Sequence, residues 1–315
     1  MSIEANPVSR LSEAIESQVA AASGLAVAVR NSSHRHVSAM LWQPDVVVTS
    51  EQAIGNRGEY EVVTASGATA TARIAGRDPG TNLLVLRTAT PLPEGLASAR
   101  LSTARVGSLA LAFGADVTGA PTARLGLVSA VGPQWYSRAG GRIEQRIALD
   151  IRLGRTEEGG PVLDAEGGLL GMSTLGPPGV VLAIPVATLE RVVPQLLSGG
   201  RVARGWLGLG LQPVAIPEPL REAAGQTTGM MVISIAAGGP GAAAGATAGD
   251  ILLTIDGTSM RGLRRVMTQL DDASVGRTVA LRLIRGGEVL TLSVLIAARP
   301  PESSRDGSST DSSAP

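Results

Sequence analysis

The chain has 315 residues, with 27 basic and 27 acidic side chains and no cysteine. That length suits about two hydrophobic cores, the balanced charge without any Lys or Arg run argues against nucleic acid as a partner, and the lack of thiols excludes disulfides, thiol nucleophiles and thiolate metal sites. Hydrophobic residues make up 44% but aromatics only 2%, and glycine occupies 40 positions, so Val, Leu, Ile and Ala must fill the cores of a mostly β chain rich in tight turns.

The amino terminus, Met1-Ser-Ile-Glu-Ala-Asn-Pro7, has neither a basic nor an apolar leader region. It does not read as a secretory signal, so a cytoplasmic location is expected, or a periplasmic one if the true start lies upstream. The apolar stretch Val19 to Val29 is interrupted at Ser23-Gly24 and falls short of the roughly 20 residues that cross a bilayer. Within a segment over 1–23, apolar residues at 11, 14, 15 and 19 predict a helix from Leu11 to Ala21, with Ser9 or Ser12 as cap.

From 24 to 198 the pattern changes to short strands between Gly, Pro, Asn and Asp. They are expected near Leu25–Val29, Ser38–Trp42, Asp45–Thr49, Tyr60–Val63, Thr69–Ile74, Leu83–Thr88, Ser108–Phe113, Arg124–Val131, Arg142–Ala148, Gly160–Leu163, Gly168–Ser173 and Val180–Ile184. Strands at that density indicate a barrel or sandwich. A helix over Val186–Leu197 closes the domain, with Leu189, Val192, Val193 and Leu196 on one face, and 199–205 forms a linker. A second domain over 206–299 has strands near Leu207, Met230–Ile235, Ile251–Ile255, Thr278–Ile284 and Val289–Ile296, and a helix over Leu263–Leu270. The tail, 300–315, has no apolar periodicity and is expected to be disordered.

Three stretches carry a specific resemblance: Val47-Val48-Thr49-Ser50-Glu51-Gln52-Ala53-Ile54, Gly76-Arg77-Asp78-Pro79-Gly80-Thr81-Asn82-Leu83, and Asp150 to Leu163 with Thr156-Glu157-Glu158-Gly159-Gly160-Pro161. In order and spacing they resemble the catalytic segments of the HtrA (DegP-like) serine proteases. The resemblance implies a trypsin-like double β-barrel, with Gln52 on the His position, Asn82 on the Asp position and Glu158 on that of the nucleophile. A Ser–His–Asp relay needs a hydroxyl nucleophile, an imidazole base and a carboxylate behind it. None of the three stands here, so triad hydrolysis is expected to be undetectable and the chain is expected not to be an enzyme.

Thr156 replaces a family glycine, and because threonine would be strained in a positive-φ turn a remodelled loop is expected. The Glu158 carboxylate either folds over surviving amides of that loop or, with Glu157, belongs to a solvated acidic turn. His34 and His36 are the only imidazoles, and their favoured reading is an exposed turn rather than a catalytic or metal site. No metal or cofactor is expected. Trp135-Tyr136 sits between Gly132-Pro133 and Gly140-Gly141, either as an anchor for a partner or folded back on the barrel.

Arg204-Gly205-Trp206-Leu207-Gly208-Leu209, the glycine-rich run from Gly238 to Gly245, and Gly249-Asp250-Ile251 through Asp256-Gly257 resemble a PDZ domain, which is α+β. That implies capture of peptide C-termini by Trp206, Leu207, Gly208, Leu209 and Leu211, opposite Val266, Met267 and Leu270. Trp206 reads equally as a packing residue. The leading expectation is a catalytically inactive peptide- or protein-binding scaffold. The alternatives are a serine-type endopeptidase of protein quality control and a structural subunit that joins active paralogues, with a homo-trimer as the family's habit.

Overall fold

A computed structural model describes residues 6–32, 35–55, 58–93, 101–177 and 179–300, in two compact units, 1–202 and 203–315. His34 and the tail from 301 onward lie outside the described residues.

The first unit opens with helix α1 (Pro7–Ala22), which starts four residues before the expected Leu11. The cap is Asn6 rather than Ser9 or Ser12: its Oδ1 accepts from Val8 N at 3.1 Å, and Pro7 fills the first turn. An asparagine followed by proline is a strong start, because proline's fixed φ suits the first turn and its missing N–H has no helical partner there. Replacing the cap by Ala (Asn6→Ala) should cost the helix about 1 kcal/mol; amide exchange at Val8 to Leu11 should quicken severalfold. Unchanged exchange would show that packing of Ile15 and Val19 on the barrel core holds the helix start without the cap.

Six strands then close into a barrel: β1 (Ala26–Ser32), β2 (Arg35–Gln43), β3 (Val46–Ser50), β4 (Tyr60–Val63), β5 (Thr69–Asp78) and β6 (Leu83–Thr88), in the order β1-β2-β3-β6-β5-β4. Its interior is small and branched, with Val27, Val29, Val47, Val62, Leu84 and Leu86 buried together. A second barrel comprises β7 (Leu109–Ala115), β8 (Pro121–Gly132), β9 (Arg146–Asp150), β10 (Pro161–Asp164), β11 (Leu169–Leu175) and β12 (Val181–Pro185), ordered β9-β12-β11-β10-β7-β8. Helix α2 (Val186–Gly199) follows, and its Leu189, Val192, Val193 and Leu196 join Met40, Val48, Leu83, Phe113 and Met172 in a core shared by both barrels.

The expected strand Arg142–Ala148 is interrupted. Arg142–Ile143 turns away to pair with Trp135–Tyr136, and the main strand begins at Arg146. At the break, Glu144 Oε1 accepts from Arg191 Nε at 2.6 Å, so a tertiary ion pair with α2 overrides the local β pattern. Trp135 packs against the shared core, so it folds back on the barrel.

In the second unit the main sheet runs β13 (Leu209–Ala215), β14 (Thr228–Ile235), β15 (Ile251–Ile255), β16 (Thr278–Arg285) and β17 (Glu288–Leu295), with Thr258–Ser259 added beside β15. β13 is an edge strand. Helix α3 (Leu263–Gln269) packs near it. The strand expected at Leu207 lies to either side of that residue, in Gly205–Trp206, paired with Ala297–Ala298, and in β13.

Candidate functional site

The three positions expected to match a catalytic triad converge where the two barrels meet. Ser50 ends β3, a single 3₁₀ turn (Glu51–Ala53) presents Gln52, and Asn82 sits just before β6 in the left-handed region at φ 59°. The turn before Asn82 is fixed by Asp78, whose carboxylate accepts from Gly80 N (3.2 Å), Thr81 N (3.0 Å) and Thr81 Oγ1 (2.8 Å). Asparagine tolerates that backbone because its short side chain bonds locally; here Oδ1 accepts from Gln52 N at 2.8 Å.

Glu158 is only 2% exposed, which overturns the reading of it as part of a solvated acidic turn. Its Oε1 accepts from Gln52 Nε2 (2.6 Å), Ser50 Oγ (2.8 Å), Thr174 Oγ1 (2.8 Å) and Leu175 N (3.0 Å). Asn82 Nδ2 donates in turn to Ser50 Oγ (2.9 Å) and Thr174 Oγ1 (2.7 Å), so both hydroxyls accept a hydrogen bond from the amide and donate one to the carboxylate. Gln52 Nε2 also donates to Leu175 O at 2.9 Å. Burying a carboxylate is costly without such partners, and charge-assisted bonds are roughly twice as strong as neutral ones. Gln52, Asn82 and Glu158 are thus brought together. Ser50, Thr174 and Leu175 complete the set and were not singled out in the sequence.

The carboxylate lies away from its own loop. Thr156 N and Glu158 N have no acceptor among the described residues, while Thr156 O accepts from Ser38 N at 2.8 Å and from Ser38 Oγ at 2.7 Å. Thr156 avoids positive φ, which among described non-glycine residues occurs only at Asn82 and Asp256, so threonine stands there without that strain. Glu157 instead braces the loop: Oε2 accepts from Gly154 N at 2.7 Å and Oε1 from Arg124 Nε at 2.8 Å. His36 lies half-buried on β2, and no cluster of three or more metal-binding side chains occurs among the described residues. A cavity of about 440 Å³ opens beside the cluster, lined by Gln52, Asn82 and Thr174 on one side and by Trp135, Ile143 and Leu182 on another.

In the second unit, Leu207 and Val266 are buried core residues, and Leu209, Leu211 and Leu270 pack partly against them. Met267 is 41% exposed, which leaves it at the surface between α3 and solvent. The Trp206 ring lies against Gly208 and Gly239, within 3.5 Å of where a Cβ on either would stand. Gly208 has φ +71°, Leu207 O accepts from Gly241 N at 2.7 Å, and Gly208 O accepts from Ala236 N at 2.8 Å. The carbonyls are therefore used internally. The amides of Leu207 and Gly208 have no protein acceptor among the described residues.

Two closed six-stranded barrels with the catalytic-segment loops at their seam, followed by a separate sheet with a glycine-opened edge, define a trypsin-like peptidase fold joined to a PDZ domain. Residues 37–172 match the trypsin-like peptidase domain family and 205–296 match the PDZ domain family. In sequence the chain is similar to DegP-like proteins over most of its length. It is 30% identical over 270 residues to a probable periplasmic serine endoprotease DegP-like of Brucella suis, across 83% of this chain and 52% of that protein. The corresponding protein of Bartonella henselae is 32% identical over 274 residues, across 83% and 53%. The chain thus spans about half the length of these curated relatives. Among solved structures, the HtrA-type protease AlgW with a tripeptide is 26% identical with a TM-score of 0.63, covering 90% of this chain and 97% of that one.

Two expectations are corrected by these relatives. The chain was expected not to be an enzyme, but proteins 30% and 32% identical over most of it are named serine endoproteases, which points to a protease. The cytoplasmic expectation is likewise overturned, since the same relatives are named periplasmic.

Proposed function

We propose that the chain acts on polypeptides as an HtrA-type endoprotease of the periplasm, with its PDZ domain recruiting a peptide C-terminus. The observation that carries this reading is the pair of unaccepted amides, Leu207 N and Gly208 N, at the start of the open edge strand β13. Consecutive amides of this kind form a nest for a carboxylate, and a free strand edge adds a peptide by β-augmentation. Leu211, partly packed on the core, and the exposed Met267 are the side chains that would border the last apolar residue of such a peptide.

The hydrolytic part is supported by the relatives' names and by the cavity at the barrel seam. With Gln52, Asn82 and Glu158 on the triad positions, it does not run through a Ser–His–Asp relay there. Ser50 and Ser173 are fully buried at 0% exposure; Thr174, buried at 3%, lines the cavity and donates to Glu158, which makes it the hydroxyl of the cluster nearest to that space.

Two assays on the whole chain test the reading. Peptides with apolar free C-termini should bind, amidated versions should not, and Gly208→Val should abolish capture, because a β-branched residue is strained at positive φ. Casein and fluorogenic peptides report hydrolysis: cleavage lost in Thr174→Val supports the seam as its site, whereas intact casein alongside normal peptide capture overturns the protease half and leaves the binding half standing.

A further inference from the structure

We infer that the cavity beside the Glu158 cluster is an anchor site for an apolar peptide side chain with an acidic neighbour, and that Arg138 selects the charge. This rests on the reading of the chain as a polypeptide-handling protein and adds a ligand class to its barrel domain.

The cavity holds about 440 Å³, within the roughly 300–1,000 Å³ of small-ligand sites. Its floor is apolar, formed by Ile143, Leu182 and Ile184, with Trp135 on the wall. Another wall is the Pro79-Gly80-Thr81 turn that Asp78 ties down. Gly141 presses directly on that turn, since a Cβ there would stand 2.1 Å from the Gly80 carbonyl carbon. The hairpin Trp135–Ile143 and the turn of the first barrel are thus locked backbone to backbone. The cavity is preformed, and a ligand need not order its walls.

Charge at the rim is one-sided. Arg138 is exposed, lines the cavity and has no ion pair or hydrogen bond among the described residues. The carboxylates nearby are engaged elsewhere: Glu158 in its four-donor cluster, Glu144 with Arg142 and Arg191, and Asp78 in the turn. A free guanidinium at the mouth of an apolar pocket complements a carboxylate next to a buried apolar group. Trp135 adds a second opening for a ligand: its Nε1 is buried without an acceptor, a donor that a peptide carbonyl can satisfy.

The test uses an acetylated and amidated octapeptide, Gly-Ser-Gly-Phe-Asp-Gly-Ser-Gly, whose blocked terminus denies it the PDZ nest. Titration against the whole chain, followed by ligand-observed NMR, should show saturable binding, lost when Phe is replaced by Gly. Changing Asp to Asn in the peptide should weaken binding about tenfold, or 1.4 kcal/mol. Arg138→Gln should cause a similar loss and make the Asp and Asn peptides equivalent, the signature of a direct pair in a double-mutant cycle. Equal affinity for both peptides on the unaltered protein, or affinity unchanged by Arg138→Gln, overturns the role of Arg138. Failure of the blocked octapeptide alongside capture of free C-termini overturns the anchor site alone; failure of both overturns the peptide-handling reading as well.

Discussion

Replacing Glu158 by alanine is expected to destabilise the trypsin-like domain by about 3 kcal/mol, the scale set by leaving several buried donors without an acceptor. The side chain is 2% exposed and takes four hydrogen bonds, three of them from side chains that approach across the barrel seam or from the neighbouring strand β11. Removing it takes the acceptor from the buried hydroxyls of Ser50 and Thr174 and from the Leu175 N–H, while Gln52 Nε2 keeps the Leu175 carbonyl. Glu158→Gln keeps an acceptor oxygen and should cost less, about 1 kcal/mol. Urea unfolding followed through Trp42 and Trp135, both packed on the shared core, separates the two variants. Equal stability of Glu158→Ala and the unaltered protein would show that the carboxylate does not hold the seam.

A smaller loss, about 2 kcal/mol, is expected in the PDZ unit from Asp250→Ala, because the buried acceptor of the Thr247 N–H and hydroxyl is removed while the partly exposed Arg285 turns to water. Asp250 is 1% exposed, and its two oxygens accept from Arg285 Nε (2.8 Å) and Arg285 Nη2 (2.7 Å) as well as from Thr247 N (2.8 Å) and Thr247 Oγ1 (3.0 Å). Burial by itself raises the carboxyl's pKa, but the Arg285 bond, the Thr247 bonds and the Arg285 charge together outweigh it and hold the group below its ordinary value. A carboxyl whose pKa is lower folded than unfolded adds stability that is complete above the unfolded value, near 3.9, and drains away as pH falls toward the folded one. The PDZ unit of the unaltered chain should therefore lose stability as acidity increases below about pH 4. Asp250→Asn should show a flatter profile over that range. A variant with the same acid slope as the unaltered chain would place the slope's origin in other carboxyls.

Much of the barrel architecture was legible because its strands bury one or both faces with branched residues. Tyr60–Val63, Leu83–Thr88 and Ile251–Ile255 have the expected bounds. Where the pattern misled, a tertiary partner had intervened, as at Arg142–Ala148, where Glu144 leaves the strand for Arg191. Gln52, Asn82 and Glu158 were expected to meet at one site, and their groups do lie in one hydrogen-bonded cluster. Their environment was not legible. Acidic side chains are almost always exposed unless paired, so two adjacent glutamates in a glycine-rich turn read as solvated, and no local signal marks Ser50 and Thr174, 124 positions apart, as their donors. The location and enzyme expectations failed for a different reason: they were drawn from residues missing at the amino terminus and at three positions, whereas the relatives' names bear on the chain as a whole.

Strand β13 also has a bearing on how this molecule stays separate from its own copies. An unpaired strand edge is a template on which sheets of neighbouring molecules can join. Pro213 stands within β13, opposite Met230 in the ladder, and proline in a sheet is confined to edges, with its hydrogen-free nitrogen toward solvent. Pro213 therefore takes one donor out of the free edge and leaves a gap in the row of main-chain bonds that a second copy would need in order to extend the sheet.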